Sequence, residues 1–398
     1  MKRIERKNYL QRLIELQGTP DIKIITGVRR CGKSELLKDY IDYCKKQDAD
    51  CNPIVIDFMD LAFEDLKEYH KLYNYICDQY IDGKNNYVFI DEVQLCPNFE
   101  LAINSLHSKQ RYDIYLTGSN AFLLSADLAT LFTGRYIELH VFPFDFVEYC
   151  NYHSDVKDID LLFDDYVEKG GFAGSYVYRT NFDRHTYIRE VYNTIMHRDL
   201  LKKYNFSDNQ VIDMLAEFLL DNIGNLTSAN KIAGTLTSNN YTTNHVTVGK
   251  YLKYLASAFL FYKFNRYDIK GKKYLEASNK YYTVDTGLRY SILGTRNMDY
   301  GRVYENIVAL ELLHRGYEVY IGKLYEKEID FVAKRGSELF YIQVSDDISS
   351  ETTFNREVDP LFRIKDSYPK LILARTKHDV YQYEGIKIYD IARWLKEK

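Results

Sequence analysis

The sequence predicts an α/β multidomain chain with a parallel sheet of βα units at its amino-terminal end, and three observations predict it. Five short β-branched or aromatic runs alternate with helical patterns over the first 150 residues. Residues 21–37 read DIKIITGVRRCGKSELL, an apolar extended run, a glycine-punctuated loop and a helix start. From about Phe144 the pattern turns helical and then falls into the order helix, turn, helix, hairpin, which marks further domains. At 398 residues the chain is too long for one ordinary core and suggests two to four domains.

The candidate strands of the first part are Asp21 to Thr26, Pro53 to Phe58, Tyr87 to Asp91, Tyr112 to Thr117 and Tyr136 to Phe142. The helix after the glycine loop carries Leu36, Leu37, Tyr40, Ile41 and Cys44 on one apolar face. Between Phe144 and Asn225 four helical segments follow with no strand candidate among them. Ser228 to Tyr290 holds two short helices, SANKIAGTL and HVTVGKYLKYLASAF, then two extended runs around Lys270-Gly271-Lys272, which is a winged-helix pattern. Arg302 to Lys398 reads as a helix, three strands, a helix, a strand, and a last strand and helix.

Charge and cysteine content narrow the class. Lysine and arginine number 53 against 57 aspartate and glutamate, so a net charge of −4 excludes a generally basic, histone-like binder. No run of 18 apolar residues exists, and MKRIERKNYLQRL lacks a hydrophobic segment after its basic residues, so a cytoplasmic protein without a membrane partner is expected. All six cysteines fall in the first 150 residues with no C-x-x-C pair, the pattern of reduced thiols. The 38 tyrosines carry no function by themselves.

In GVRRCGKSE, Gly27, Gly32, Lys33 and Ser34 stand at phosphate-loop spacing, with Val28, Arg29, Arg30, Cys31 and Glu35 completing the stretch that wraps a nucleotide. Glycines let successive N–H groups point at a β-phosphate, Lys33 reaches the β- and γ-oxygens, and the Ser34 hydroxyl serves Mg²⁺ at a helix start. Hydrolysis also needs an acidic pair at the end of a buried strand, and YVFIDE supplies Asp91 for the Mg²⁺ shell and Glu92 as general base. The next strand ends in TGSNA, where Ser119 or Asn120 is placed to sense the γ-phosphate or position water. Arg135, after Gly134, is a candidate arginine finger toward a neighbouring subunit, a surface ion pair being its equal alternative.

The series GVRRCGKS, YVFIDEVQ, YLTGSNA, TGRYIEL with PFDFVEY, YVEKGGF, KYYTVDTGLR, and EIDFV with YIQVS resembles a family of prokaryotic AAA-superfamily ATPases. Those proteins carry an N-terminal P-loop domain, a helical and winged-helix middle, and a C-terminal restriction-endonuclease-like domain. The resemblance implies an AAA-like ATPase domain at 1–143, a helical domain at 144–226, a winged helix at 227–293 and an endonuclease-like domain at 294–398. It gives Lys33 and Ser34 the Walker A roles, Asp91 and Glu92 the Walker B roles, Ser119 or Asn120 the first sensor and Arg135 the finger. It also implies a sheet with the phosphate-loop strand central.

Between Ser228 and Tyr290 ten basic residues face three acidic ones, among them Lys250, Lys253, Lys270, Lys272, Lys273 and Lys280. Such clustering suits phosphate contacts with DNA, although the second helix is poor in outward Arg, Asn and Gln for reading bases, and a protein-interaction or purely structural role fits equally. In the C-terminal part Glu305, Asp330 and Gln343 match in order the metal ligands of endonuclease-like domains, but the usual lysine position holds Ser345, so phosphodiester cleavage is not expected. The expected function is Mg²⁺-dependent ATP binding and hydrolysis coupled to a DNA or protein partner, with an oligomer compatible with a finger acting in trans. Alternatives are a nucleotide-gated scaffold with negligible turnover and an ATP-driven DNA nuclease.

Overall fold

A computed structural model describes residues 3–118, 130, 132, 134–201, 203, 204, 206, 209–239, 241–295 and 299–397. The chain divides into two compact units, Met1–Pro143 and Phe144–Lys398.

The first unit runs α1 (Lys7–Glu15), β1 (Ile22–Thr26), α2 (Lys33–Gln47), β2 (Asn52–Asp57), α3 (Tyr69–Asp78), β3 (Asn86–Asp91), α4 (Phe99–Ser108), β4 (Asp113–Thr117) and β5 (Tyr136–His140). Each of the five expected strands is present close to its predicted bounds, and all pair in parallel in the order β2-β3-β4-β1-β5. The phosphate-loop strand β1 is interior, between β4 and β5, but β4 rather than β1 holds the middle place. Every residue of β1 and β3 is buried. Helices cover both faces of a parallel sheet, so its inner strands read as unbroken apolar runs instead of alternating ones.

One face packs Ile22, Ile56 and Ile90 with Leu72 and Ile76 of α3 and Ile103 of α4. The other receives the predicted apolar face of α2, whose Leu36, Leu37, Tyr40, Ile41 and Cys44 are all buried. Polar groups enter this core only with partners, because an unpaired one would forfeit its hydration. Lys23 Nζ, buried under the sheet, contacts Asp113 Oδ1 at 2.6 Å and donates to Thr19 O at 2.6 Å. Tyr115 donates to Asp113 Oδ2 at 3.0 Å, and the Tyr40 and Tyr115 hydroxyls meet at 2.8 Å.

The second unit begins with α5 (Phe146–Tyr152), α6 (Ile159–Lys169), α7 (Asn181–Thr194), α8 (Asn209–Asp221), α9 (Ala229–Ser238) and α10 (His245–Ser257). It continues with β6 (Phe261–Asp268), β7 (Lys273–Thr283), α11 (Thr286–Leu293), α12 (Tyr300–His314), β8 (Glu318–Leu324), β9 (Lys327–Arg335) and β10 (Glu338–Ser345). The unit closes with α13 (Glu351–Phe362), β11 (Lys370–Ala374), β12 (Tyr381–Tyr383), β13 (Ile386–Asp390) and α14 (Ile391–Lys396). Its strands form one mixed sheet in the order β12-β13-β11-β10-β9-β8-β6-β7. The predicted wing is therefore not free-standing: Arg266, Tyr267 and Asp268 of β6 pair in parallel with Ile321, Gly322 and Lys323 of β8. No helix among the described residues is long and apolar enough to cross a membrane.

Two glycine motifs acquire a structural reason here. Gly170 has φ +67°, and a Cβ on it would lie 2.0 Å from Asp285 Oδ1; one on Gly171 would lie 2.2 Å from Phe144 O. Gly171 N–H donates to Asp285 Oδ2, so YVEKGGF and VDTGLR are two halves of one buried contact.

Candidate active site

The phosphate loop leaves the carboxyl end of β1 and enters α2 through Gly32, whose φ of +104° turns the chain into the helix. Gly27 sits at φ +141°, and a Cβ there would fall 2.1 Å from Val141 O, so only glycine lets the loop pass the end of β5. Lys33 is buried, and its Nζ donates to Gly27 O at 2.9 Å and Val28 O at 3.0 Å. The ammonium thus closes the loop's own backbone ring, within reach of whatever the loop encircles. Val28 and Cys31 are buried, Arg29 is half-buried, and Arg30 is exposed in the left-handed region at φ +67°. Ser34 is half-buried in the first turn of α2, and Glu35, exposed beside it, pairs with Lys38 at 2.9 Å.

Across the same sheet edge, β3 ends at Asp91, level with Thr117 of β4. The Thr117 hydroxyl donates to Asp91 Oδ1 and accepts from Glu92 N–H at 3.1 Å, so one side chain orients both acidic residues. Glu92 adopts φ +54°, which turns it away from the strand direction, and its carboxylate accepts from Gln94 Nε2. The structure therefore brings Lys33, Ser34, Asp91 and Glu92 to the carboxyl edge of one parallel sheet, where open α/β folds gather ligand contacts.

Sequence reasoning missed two groups at this edge. Thr26, the last residue of β1, donates to Glu138 Oε1 at 2.6 Å, and its Oγ1 lies 3.2 Å from His140 Nδ1. Burial and the nearby Lys33 ammonium push His140 down to about 3, so its ring is neutral, while burial raises Glu138. The second group is Arg6, just before α1. Its Nη1 donates to Cys31 O at 3.0 Å and Phe142 O at 2.9 Å, and the guanidinium lies 4.5 Å from the Tyr9 ring centroid. Its partners lie 25 and 136 residues away, a separation no local pattern announces.

Two further expectations fall differently. Ser119 and Asn120 lie outside the described residues. Arg135 is exposed at the amino end of β5, where its carbonyl accepts from Ile22 N at the start of β1. A strand of five residues spans about 16 Å, so Arg135 is a full strand length from its own phosphate loop.

In the second unit, Lys250, Lys253, Lys270, Lys272 and Lys273 are exposed as expected for a basic surface. Lys280 and Arg289 are not: both are buried, which removes two of the ten basic residues from any phosphate-facing surface. Glu305, Asp330 and Gln343 do converge. Asp330 N–H donates to Gln343 Oε1 at 2.8 Å, and Lys280 Nζ lies 2.7 Å from Glu305 Oε1 and 3.8 Å from Asp330 Oδ1.

Residues 19–150 match the AAA domain family, and residues 160–299 match a family described as a domain of unknown function. An uncharacterized protein of Haemophilus influenzae is 38% identical over 397 residues, covering 98% of this chain and 98% of its own. Another, of Methanocaldococcus jannaschii, is 28% identical over 404 residues, covering 96% of this chain and 87% of its own. Among solved structures, a Walker-type ATPase of Pyrococcus abyssi shares 18% identity with a TM-score of 0.49, covering 73% of this chain and 95% of that one. The AAA match and the parallel five-stranded sheet make the first unit an AAA-type P-loop ATPase core, a fold whose ligand is a nucleotide. The chain belongs to the same family as the Haemophilus influenzae protein, with an AAA domain at its amino-terminal end.

Proposed function

We propose that the protein binds and hydrolyses ATP with Mg²⁺ and uses the cycle to act on a DNA or protein partner. The observation that carries this reading is the shared sheet edge at which the Lys33 loop and the Thr117-oriented Asp91 and Glu92 meet. Backbone N–H groups from Gly27 to Ser34 bind the polyphosphate, and Lys33 leaves the Gly27 and Val28 carbonyls to meet the β- and γ-oxygens. The donor set suits a hard, oxygen-liganded cation: the Ser34 hydroxyl and the Asp91 carboxylate would hold Mg²⁺. Bound there, the ion supplies charge neutralisation at the phosphate oxygens. Glu92 takes a proton from the attacking water, Asn120 or Ser119 orients that water, and Arg135 serves a neighbouring subunit's γ-phosphate in an oligomer.

The second unit is read as a helical part at 144–226, a winged helix at 227–293 and an endonuclease-like part at 294–398. DNA is favoured as partner by the exposed Lys270, Lys272 and Lys273 at the β6–β7 turn. Phosphate contacts release counterions, so binding should fall steeply with salt. The test is phosphate release and salt-titrated DNA binding with and without ATP. Lys33→Ala should abolish ATP binding and Glu92→Gln should trap ATP; wild-type turnover in the Lys33 variant would refute the mechanism.

A nucleotide-gated switch with slow turnover is the second reading, favoured by the Gln94 amide that occupies the Glu92 carboxylate. Gln94→Ala separates the two: faster turnover supports the switch, and no change supports a constitutive ATPase.

A further inference from the structure

The endonuclease-like part brings its acidic residues together around a group that the motif does not contain. Lys280, from β7, is 4% exposed, and its Nζ lies 2.7 Å from Glu305 Oε1, 2.8 Å from Glu328 Oε1 and 3.8 Å from Asp330 Oδ1. An ammonium has three donors and no acceptor, and burying it without carboxylates would be prohibitive. Here the carboxylates of α12 and β9 supply what water would have supplied.

The neighbouring donors are also committed inward. Tyr282 OH donates to the same Glu305 oxygen that Lys280 uses. Asp330 Oδ2 accepts from Val344 N–H at 2.8 Å. Gln343 turns its carbonyl oxygen to Asp330 N–H at 2.8 Å and its amide to Glu357 Oε2 at 3.0 Å. A divalent ion such as Mg²⁺ needs about six oxygens at close to 2 Å in near-octahedral order. The amide oxygen that would join such a shell points at backbone, and the centre of the carboxylates holds a side-chain cation.

We propose that the Lys280 ammonium is the resident cation of this cluster, taking the place of a divalent metal and turning an endonuclease-like site into a metal-independent tie between β7, α12 and β9. The site then binds no divalent ion in the wild-type protein and cuts no phosphodiester. Removing the lysine leaves clustered carboxylates without a cation, which destabilises the unit and opens the place to a metal.

The test uses the full chain without nucleotide, titrated with Mn²⁺ and followed by electron paramagnetic resonance and thermal melting. Wild type should show no Asp330-dependent Mn²⁺ site and no Mn²⁺-dependent rise in melting temperature. Lys280→Met should melt lower, gain one Mn²⁺ site at least about tenfold tighter than any wild-type binding, and recover stability as Mn²⁺ is added. Lys280→Met with Glu305→Gln, which removes a carboxylate together with the cation, should recover part of the stability without binding Mn²⁺. The proposal is overturned if wild type binds Mn²⁺ in a way that Asp330→Asn abolishes, or cleaves DNA with Mn²⁺. It is equally overturned if Lys280→Met is as stable as wild type and binds no ion. Should Lys280→Met fail to fold, the wild-type and Asp330→Asn titrations alone decide.

Discussion

Arg6 donates from Nη1 to the carbonyl oxygen of Cys31 at 3.0 Å, which ties the residue before α1 to the middle of the phosphate loop. The same nitrogen reaches Phe142 O beyond β5, so one buried cation bridges the segments that follow β1 and β5. Arg6→Ala leaves both carbonyls without this donor, a loss of about 1–3 kcal/mol for buried partners. If most of that falls on the loop's binding-ready shape, ATP affinity drops roughly ten- to a hundredfold. Calorimetric titration with ATP measures it, alongside melting to show that the sheet is intact. Unchanged affinity in a folded variant would remove Arg6 from the site.

Thr117 offers a cleaner separation of binding from chemistry. Its hydroxyl donates to Asp91 on one side and accepts from Glu92 N–H on the other. Thr117→Val keeps the shape of the strand end and removes both bonds. The expected result is an ATP dissociation constant within about threefold of wild type and a turnover lowered by about tenfold or more, as for a positioning residue next to a general base. Equal losses in binding and turnover would mean that Thr117 supports the loop rather than the acidic pair.

The first unit was the more legible half because its signals are local. Gly27, Gly32, Lys33 and Ser34 each do a separate physical job at fixed spacing, and the buried parallel strands announce themselves as apolar runs. What stayed hidden depends on distant partners. Arg6 looks like part of a basic amino-terminal stretch until Phe142 is folded back beside it. Lys280 counted toward a phosphate-binding surface because charge on a strand reads as exposed, yet Glu305 arrives 25 residues later to bury it. The β6–β8 pairing is parallel, so no hairpin turn marks it in the chain.

His314, in the last turn of α12, is half-buried and sits 3.1 Å from Asp145 Oδ2 and 4.0 Å from Glu311 Oε2. Burial opposes its charge, but hydrogen bonds to Asp145 and Glu311 prevail and hold the imidazolium up to about 9. The folded state thus binds a proton more tightly than the unfolded chain. Its stabilising share is complete below the usual histidine value near 6.5 and is lost as pH rises through about 9. Denaturant unfolding from pH 6 to pH 10 should show this decline in wild type. His314→Gln should be less stable at pH 6 and show a smaller decline over that range. Parallel curves for the two proteins would mean that the histidine is not charged in the fold.

Asp285 also loses stability as pH rises, the reverse of an ion-paired carboxylate, because its folded value is raised. Complete burial pushes it up to about 7, against the pull of the Gly171, Gly287 and Leu288 N–H groups. Between its ordinary value near 3.8 and about 7, the folded protein holds a proton that the unfolded chain has released. Stability therefore falls as pH rises through that window and levels off above it. Asp285→Asn removes the titration and should flatten this part of the curve relative to wild type. The contact itself resists repacking, because a Cβ on Gly171 would stand 2.2 Å from the Phe144 backbone oxygen. Gly171→Ala should then cost about 2 kcal/mol or more at every pH, a shape effect with no titration in it. The two variants separate charge from packing at one place: the aspartate variant changes the slope with pH, and the glycine variant shifts the whole curve down. A pH-dependent loss in Gly171→Ala that mirrors Asp285→Asn would show that the N–H bond, rather than the space, is what the glycine protects.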